Sequence, residues 1–277
     1  MKQLDSFPKV KLGVFPTPIQ RLANISRRLN TNVYVKRDDL TGLGLGGNKI
    51  RKLEYLLADA RRKGAQVVFT TGGAQSNHAM LTAAAAGKMG MRPILILKKR
   101  GVTELKGNQL LEHLMGTEVI LMDTDDYADI YAEMDRIGTR MGVPYYKIPC
   151  GGSNALGARL FLPETKVHGM MVDSEPFDRI TPALMRETAE LLETDAGMDA
   201  EGWDLRDMTG PGYALPSAEG NAAIRLMARE EGLFLDPVYT GKAFAGLLQM
   251  AEEGAFRADD NVLFLHSGGA GGIFAVL

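Results

Sequence analysis

The stretch Thr41–Tyr55, TGLGLGGNKIRKLEY, decides how the chain is read. Gly42, Gly44 and Gly47 satisfy the spacing G-x-G-x-x-G, a strand-like run VYVK precedes them, and a helical pattern follows. That is the outline of a dinucleotide-binding turn. Such a turn also needs a buried apolar first strand and an acidic residue ~20 positions past the glycines to hold a ribose. Here the strand runs straight into Lys36-Arg37-Asp38-Asp39, and the next strand ends in Thr70-Thr71-Gly72-Gly73, with no carboxylate. A Walker loop fails as well, because Lys49 is followed by Ile50 and not by Ser or Thr.

A different reading uses every residue. Asn48 is a good helix N-cap, which puts Lys49 on the exposed first turn, near the positive end of the helix dipole and beside free backbone amides. Those partial charges favour the neutral, nucleophilic form of an amine. A neutral amine is what bond formation with an aldehyde cofactor requires. Taken alone, the segment leaves the plainer alternative open: a solvated lysine beside a helix cap.

Outward from this stretch, the chain alternates short β-branched runs with longer helical patterns. VYVK, QVVFTT, RPILIL and EVILM are expected as strands. NKIRKLEYLLADARRKG, SNHAMLTAAAAGKMG and ELKGNQLLEHLMG lie between them as helices. In the first helix Ile50, Leu53, Leu56, Leu57 and Ala60 recur at helical spacing. The C-terminal half continues in the same style, with KVHGMMVD and NVLFLH as strands and FDRITPALMRETAELLETDA, SAEGNAAIRLMAREEG and GKAFAGLLQMAEEG as helices. Such alternation predicts an α/β fold: open, mostly parallel, twisted sheets with helices on both faces, arranged in two lobes. Ligands in such sheets bind beyond the carboxyl ends of the strands.

Bulk properties narrow the class. The 277 residues allow a large core, and 45% hydrophobic with 24% charged residues is ordinary for a soluble globular protein. A formal net charge of −2 gives no support to nucleic-acid or anionic-membrane binding. The lone Cys150 excludes an intramolecular disulfide and fits a reducing cytoplasm. The N-terminus has no apolar core of signal-peptide length, and no run approaches ~18 apolar residues, so neither secretion nor a membrane span is expected. No metal is expected either.

Three more segments carry chemistry. TTGGAQSNHAM passes from a strand through glycines into a helix whose entrance holds Ser76, Asn77 and His78. Amides at such an end bind a carboxylate or phosphate without a cation; the plain alternative is Ser76 as N-cap and His78 as a surface residue. Three neighbours on one helical turn do not face one another, which argues against a hydrolase with Ser76 as nucleophile. PVYTGKAFAGL and FLHSGGAGGIF place Tyr239 and Ser267 at the ends of apolar segments, just before glycine-bearing turns.

GGNKIRKLEY, QSNHAMLTAAAAG, LKGNQLLEHLMG, GGSNALGA, EGLFLDPVYTGKAFAGL and LFLHSGG, in this order, resemble the D-cysteine desulfhydrase and 1-aminocyclopropane-1-carboxylate (ACC) deaminase family. These are pyridoxal-phosphate enzymes of the tryptophan-synthase β fold, fold type II. The similarity implies a larger cofactor-binding lobe from residues 1–45 and 150–277, a smaller lobe from 46–149, an amino-acid substrate and a homodimer. By the same resemblance Lys49 matches the lysine that bonds the cofactor and serves as base, Asn48 its neighbour beside the phenolic oxygen, and Lys52 a lysine near the phosphate. Ser76, Asn77 and His78 match the segment that receives the substrate carboxylate and assists proton transfer. Tyr239 matches a tyrosine over the reacting carbons, Tyr213 a second aromatic lining the site, and Ser267 a hydroxyl near the pyridine nitrogen. A hydroxyl there does not hold a proton on the ring as a carboxylate would, which suits elimination more than transamination.

The family's deaminases carry a glutamate directly after the tyrosine; this chain has Thr240, counted here among the substrate-binding positions. With His78, that leans toward elimination of sulfide from D-cysteine. ACC deaminase and L-cysteate sulfo-lyase remain the neighbouring alternatives. One departure stands out. After GGSNALGARL the family continues with a helix and then a strand ending in a Gly/Ser/Thr-rich loop around the cofactor phosphate, whereas here LFLPETKVHGMMVD follows at once. About one strand-plus-helix crossover, a unit of a dozen residues or more, is missing between Gly157 and Val167. Its loss predicts exposed apolar neighbours and phosphate contacts limited to Lys52 and helix-end amides near Gly151-Gly152-Ser153. It also opens a third alternative, a non-catalytic relative that has lost its cofactor.

Overall fold

The computed structural model describes residues 2–3, 6–150, 165–194 and 204–276. Three sheets organise them. The first has β1 (Ile19–Arg21) antiparallel to β2 (Asn32–Arg37), and β2 parallel to β9 (Asn261–His266). The second is fully parallel, in the order β5 (Glu118–Met122), β4 (Arg92–Lys98), β3 (Val67–Thr70), β6 (Tyr145–Ile148). The third pairs β7 (His168–Met171) in parallel with β8 (Asp204–Asp207). The helices are α1 (Ala23–Leu29), α2 (Lys49–Arg62), α3 (Asn77–Lys88), α4 (Gly107–Leu114), α5 (Tyr127–Met141), α6 (Phe177–Leu192), α7 (Ala218–Glu231), α8 (Thr240–Glu252) and α9 (Ile273–Val276).

The four-stranded sheet shows why a parallel sheet needs apolar residues on both faces. Along β3 and β4, Val67, Phe69, Ile94 and Ile96 pack on Ile130, Met134 and Ile137 of α5. On the other face Val68 joins Ile50, Leu53 and Leu57 of α2, while Leu95 and Leu97 meet Ala79 and Ala83 of α3. The alternation is the two-residue period of a strand, and the small alanines bring α3 close to the sheet. Each large side chain buried in this way contributes roughly 1.5–3 kcal/mol. The sequence reading did not single out α5, β1, β6 or β8. α5 presents only a narrow apolar stripe among charges, and β6 is four residues of partly buried Tyr, Tyr and Lys ending in Ile148.

In the three-stranded sheet Val33, Val35 and Phe264 bury one face against Ile25, Ile224, Met227, Phe244 and Leu247. The other face is half open: Ile19, Leu263 and Leu265 are 58%, 53% and 50% exposed. The far edge of β9 pairs with no other strand among the described residues. An apolar surface of this kind is what a sheet shows where a covering element is lacking.

The opening glycine run lies between β2 and α2 and is shaped by close approach of main chain to main chain. At Gly46, where φ is +76°, a Cβ would lie 1.7 Å from the Asp39 carbonyl oxygen. At Gly268 (φ +95°) a Cβ would lie 2.6 Å from the Gly47 Cα. The two loops touch there as an isolated antiparallel bridge, Gly47 to Gly268, and Asn48 N–H donates to the Ser267 carbonyl at 3.0 Å. Gly46, the tightest of these positions, is not one of the three glycines that fit the nucleotide pattern. The run joins the carboxyl ends of β2 and β9 at the start of α2, and the end of β3 leads into α3 beside it.

Candidate active site

Lys49 opens α2, partly buried. Desolvation pulls its amine below the ordinary lysine pKa, against the weaker opposing pull of Cys150 and Asp236. The sequence argument named the helix dipole as the cause; burial is the larger one. Asn48 occupies the N-cap position, but its side chain makes no capping hydrogen bond and its backbone is helical. Its contribution is the main-chain link to Ser267. Lys52, one turn on from Lys49, is pulled down to about 7, first by desolvation and next by the charge of Lys49.

The entrance of α3 meets this corner. Ser76 is the N-cap, its hydroxyl oxygen accepting from Ala79 N–H at 3.2 Å. The first-turn amides of the helix are the donors that such an end leaves without helical partners. The Asn77 side-chain amide reaches the Gly46 carbonyl at 3.4 Å, and its buried Oδ1 has no partner among the described residues. His78 departs from the surface position of the plain reading. It is buried, with Nε2 3.0 Å from the Thr70 hydroxyl on β3. Desolvation, and then the charges of Lys49 and Lys52, push its pKa down to about 3, so it is a neutral imidazole behind the lysines.

Opposite stands a tyrosine pair. The hydroxyls of Tyr213 and Tyr239 lie 2.8 Å apart, with the rings edge-to-face at 6.2 Å between centroids. The Tyr239 ring is open to solvent, yet the groups packed round its hydroxyl raise its pKa well above 10 by desolvation. Desolvation likewise raises Tyr213 to about 12. Both hydroxyls therefore stay protonated at neutral pH. The α3 entrance lies between the two groups: a Cβ at Gly47 would meet Asn77 Nδ2 at 2.7 Å, and a Cβ at Gly73 would meet the Tyr213 ring at 3.3 Å. Ser267, at the end of β9, has no hydrogen-bond partner for its hydroxyl among the described residues; its carbonyl lies 3.0 Å from where a Gly47 Cβ would be. The turn at Gly151-Gly152-Ser153 lies outside the described residues.

Thr240 takes another role than the expected contact with substrate. It is buried, its hydroxyl donates to Asp236 Oδ2 at 2.6 Å, and the same oxygen accepts from Asp236 N–H at 2.7 Å. Asp236 itself escaped the sequence reading. Its carboxylate accepts the N–H groups of Val238, Tyr239 and Thr240, capping the start of α8 and fixing the main chain of Tyr239. The signal was available as Asp-Pro just before a helical run. A second set also escaped. Asn108 N–H and Nδ2 donate to the side chain and carbonyl of Gln75, both at 2.8 Å, and Gln109 Nε2 donates to the Ala74 carbonyl at 2.6 Å. The start of α4 thereby braces the loop in front of Ser76.

A lysine of lowered pKa at a helix start, a glycine-lined joint between two strand ends and a protonated tyrosine pair are the chemistry-bearing features at this corner of the fold. Residues 10–156 and 148–268 match the family described as pyridoxal-phosphate dependent enzymes. D-cysteine desulfhydrase from Klebsiella pneumoniae subsp. pneumoniae is 35% identical over 325 positions, covering 99% of this chain and 98% of the relative. A putative ACC deaminase from Pyrococcus horikoshii is 39% identical, covering 98% and 94%. The crystal structure of an ACC deaminase homologue superposes with a TM-score of 0.83 at 38% identity, covering 98% of this chain and 94% of that one. The chain belongs to the pyridoxal-phosphate-dependent enzyme family and is an enzyme of the D-cysteine desulfhydrase/ACC deaminase type.

The residues present suit the cofactor. Lys49 offers an amine of lowered basicity, Lys52 a second amine one turn away, Ser267 a hydroxyl at the end of β9, and Asn77 a buried Oδ1 without a partner among the described residues. At the Gly47–Gly268 joint the two main chains meet too closely for any Cβ, which brings the loop before Lys49 against the turn after β9. The family match falls into two pieces that overlap at 148–156, and an alignment of 325 positions against 277 residues leaves several dozen positions of the Klebsiella relative opposite gaps.

Proposed function

We propose that this enzyme eliminates sulfide from D-cysteine, giving pyruvate and ammonia. The observation that carries the reading is the α3 entrance set between the loop that leads into Lys49 and a pair of tyrosine hydroxyls 2.8 Å apart. Bound pyridoxal phosphate supplies an electron sink for the pair left on the substrate α-carbon. Lys49, Asn48, Lys52 and Ser267 would hold it. Ser76, the first-turn amides of α3 and Asn77 bind the substrate carboxylate and orient the Cα–H bond. Lys49 Nζ takes the α-proton. The Cβ–S bond breaks with its electrons leaving on sulfur, and the Tyr239 hydroxyl, backed by Tyr213, gives the proton that completes hydrogen sulfide. Hydrolysis of the remaining enamine yields pyruvate and ammonia. His78, neutral and buried, supports the wall behind the lysines instead of touching substrate.

Thr240 favours this reading over the deaminase. The position after Tyr239 carries a hydroxyl bound into the Asp236 cap, so no free acid stands beside the tyrosine. Its single cysteine supports action in the cytoplasm, and the family resemblance supports a homodimer; no helix among the described residues is long and apolar enough to cross a membrane. Supplied with pyridoxal phosphate, the purified protein should release sulfide and pyruvate in equal amounts from D-cysteine. Ammonia from ACC without turnover of D-cysteine, or sulfite from L-cysteate, would assign it to a neighbouring activity. The interruption at 148–156 favours one further reading, a relative that no longer holds the cofactor. Absence of any visible absorption band after incubation with pyridoxal phosphate would establish that instead.

A further inference from the structure

Lys242 lies in the first turn of α8, three residues past Tyr239, and is fully buried. Burying a cation is costly unless its donors are satisfied. Its Nζ donates to the carbonyls of Thr209 at 2.7 Å and Gly212 at 3.0 Å. Desolvation lowers its pKa, opposed by Asp173, Asp236 and Asp207. The chain it grips is a tight turn: Gly212 N–H donates to the Thr209 carbonyl at 3.3 Å, and Gly210 and Gly212 have φ of +60° and +138°. The next residue is Tyr213. Tyr239 is held separately, its N–H on Asp236 Oδ1 at 2.7 Å. Two tyrosines from distant parts of the chain thus meet hydroxyl to hydroxyl, and Lys242 ties the main chain of one to the helix of the other.

We propose that Lys242 is a positioning residue for the reaction: by holding the Thr209–Gly212 turn it sets the contact between the Tyr213 and Tyr239 hydroxyls, and so the proton donor for the leaving group. The proposal rests on the lyase reading above. Lys242→Met, which keeps the length of the side chain and removes its donors, should lower kcat for D-cysteine by about tenfold or more with KM little changed. Tyr213→Phe should do the same, and the double variant should be no worse than either alone. A second readout needs neither cofactor nor turnover. In alkaline titration followed at the tyrosinate absorption band, Lys242→Met should show one more tyrosine ionising near pH 10 than the wild type. If Lys242→Met does not fold, Gly212→Ala displaces the same turn by placing a Cβ at a φ of +138° and should give the same kinetic split and the same extra tyrosine. Wild-type titration in the variant that folds, or single effects that multiply in the double variant, would overturn the proposal. A wild type without lyase activity but with the titration difference would overturn the reaction while leaving the positioning role standing.

Discussion

Lys49→Ala should lower kcat/KM for sulfide release by at least about 10³-fold, even with pyridoxal phosphate in excess. Three features of the site require so large an effect. Lys49 follows directly on the joint where Gly47 and Asn48 meet Gly268 and Ser267, at the first position of α2. Its pKa is lowered by burial, which favours the neutral form able both to bond an aldehyde and to take a proton. The neighbouring lysine cannot stand in. Lys52 lies one turn further along α2, beyond the first turn that faces the α3 entrance, and its own pKa near 7 reflects the charge of Lys49 beside it. Removing Lys49 therefore also changes Lys52: with the like charge gone, its pKa should rise. Steady-state kinetics of the variant, with added primary amines as a partial rescue, measure the effect. Retention of more than a tenth of wild-type activity would place the base elsewhere.

Glu112→Gln should gain stability relative to the wild type as the pH rises from 5 to 9. Glu112 on α4 is fully buried, and neither carboxylate oxygen has a partner among the described residues. Burial raises its pKa from the ordinary 4.5 to about 8. The folded state therefore binds the proton more tightly than the unfolded chain. Glu112 carries no penalty below pH 4.5; stability falls as the pH rises from there and levels off above 8. A shift of that size corresponds to at most about 5 kcal/mol between the two limits. Glutamine keeps the shape without the charge, so its urea midpoint should climb relative to that of the wild type between pH 5 and 9. Parallel curves for the two proteins would show that Glu112 ionises without cost. The family resemblance drew attention to LKGNQLLEHLMG as a motif; the structure adds that the motif braces Gln75 from its first turn and buries a protonated acid from its second.

Much of this architecture was legible in the sequence because it depends on local pattern. EVILM and NVLFLH form strands over the residues expected, and SNHAMLTAAAAGKMG forms the helix expected of it. The nucleotide reading of TGLGLGGNKIRKLEY fails on chemistry alone, because charged residues precede the glycines and no acid follows them. What the sequence did not show are contacts between distant segments. Nothing in the spacing of Lys242 and Thr209 announces that one grips the other. The expectation that Ser76, Asn77 and His78 act together was limited by helix geometry: successive residues turn by about 100°, so three in a row cannot all face one ligand. His78 is the one turned inward. Thr240 was placed against substrate because the family's deaminases carry an acid there; in this chain the side chain is short enough to fold back onto Asp236.

The central claim, that Lys49 is the residue through which this chain holds pyridoxal phosphate, is tested most directly by chemical capture. Wild-type protein incubated with the cofactor is reduced with borohydride, digested and mapped by mass spectrometry. The account predicts a single phosphopyridoxyl group on Lys49, absent from Lys49→Ala. No label, or label of equal yield on Lys52 or on surface lysines, would contradict it.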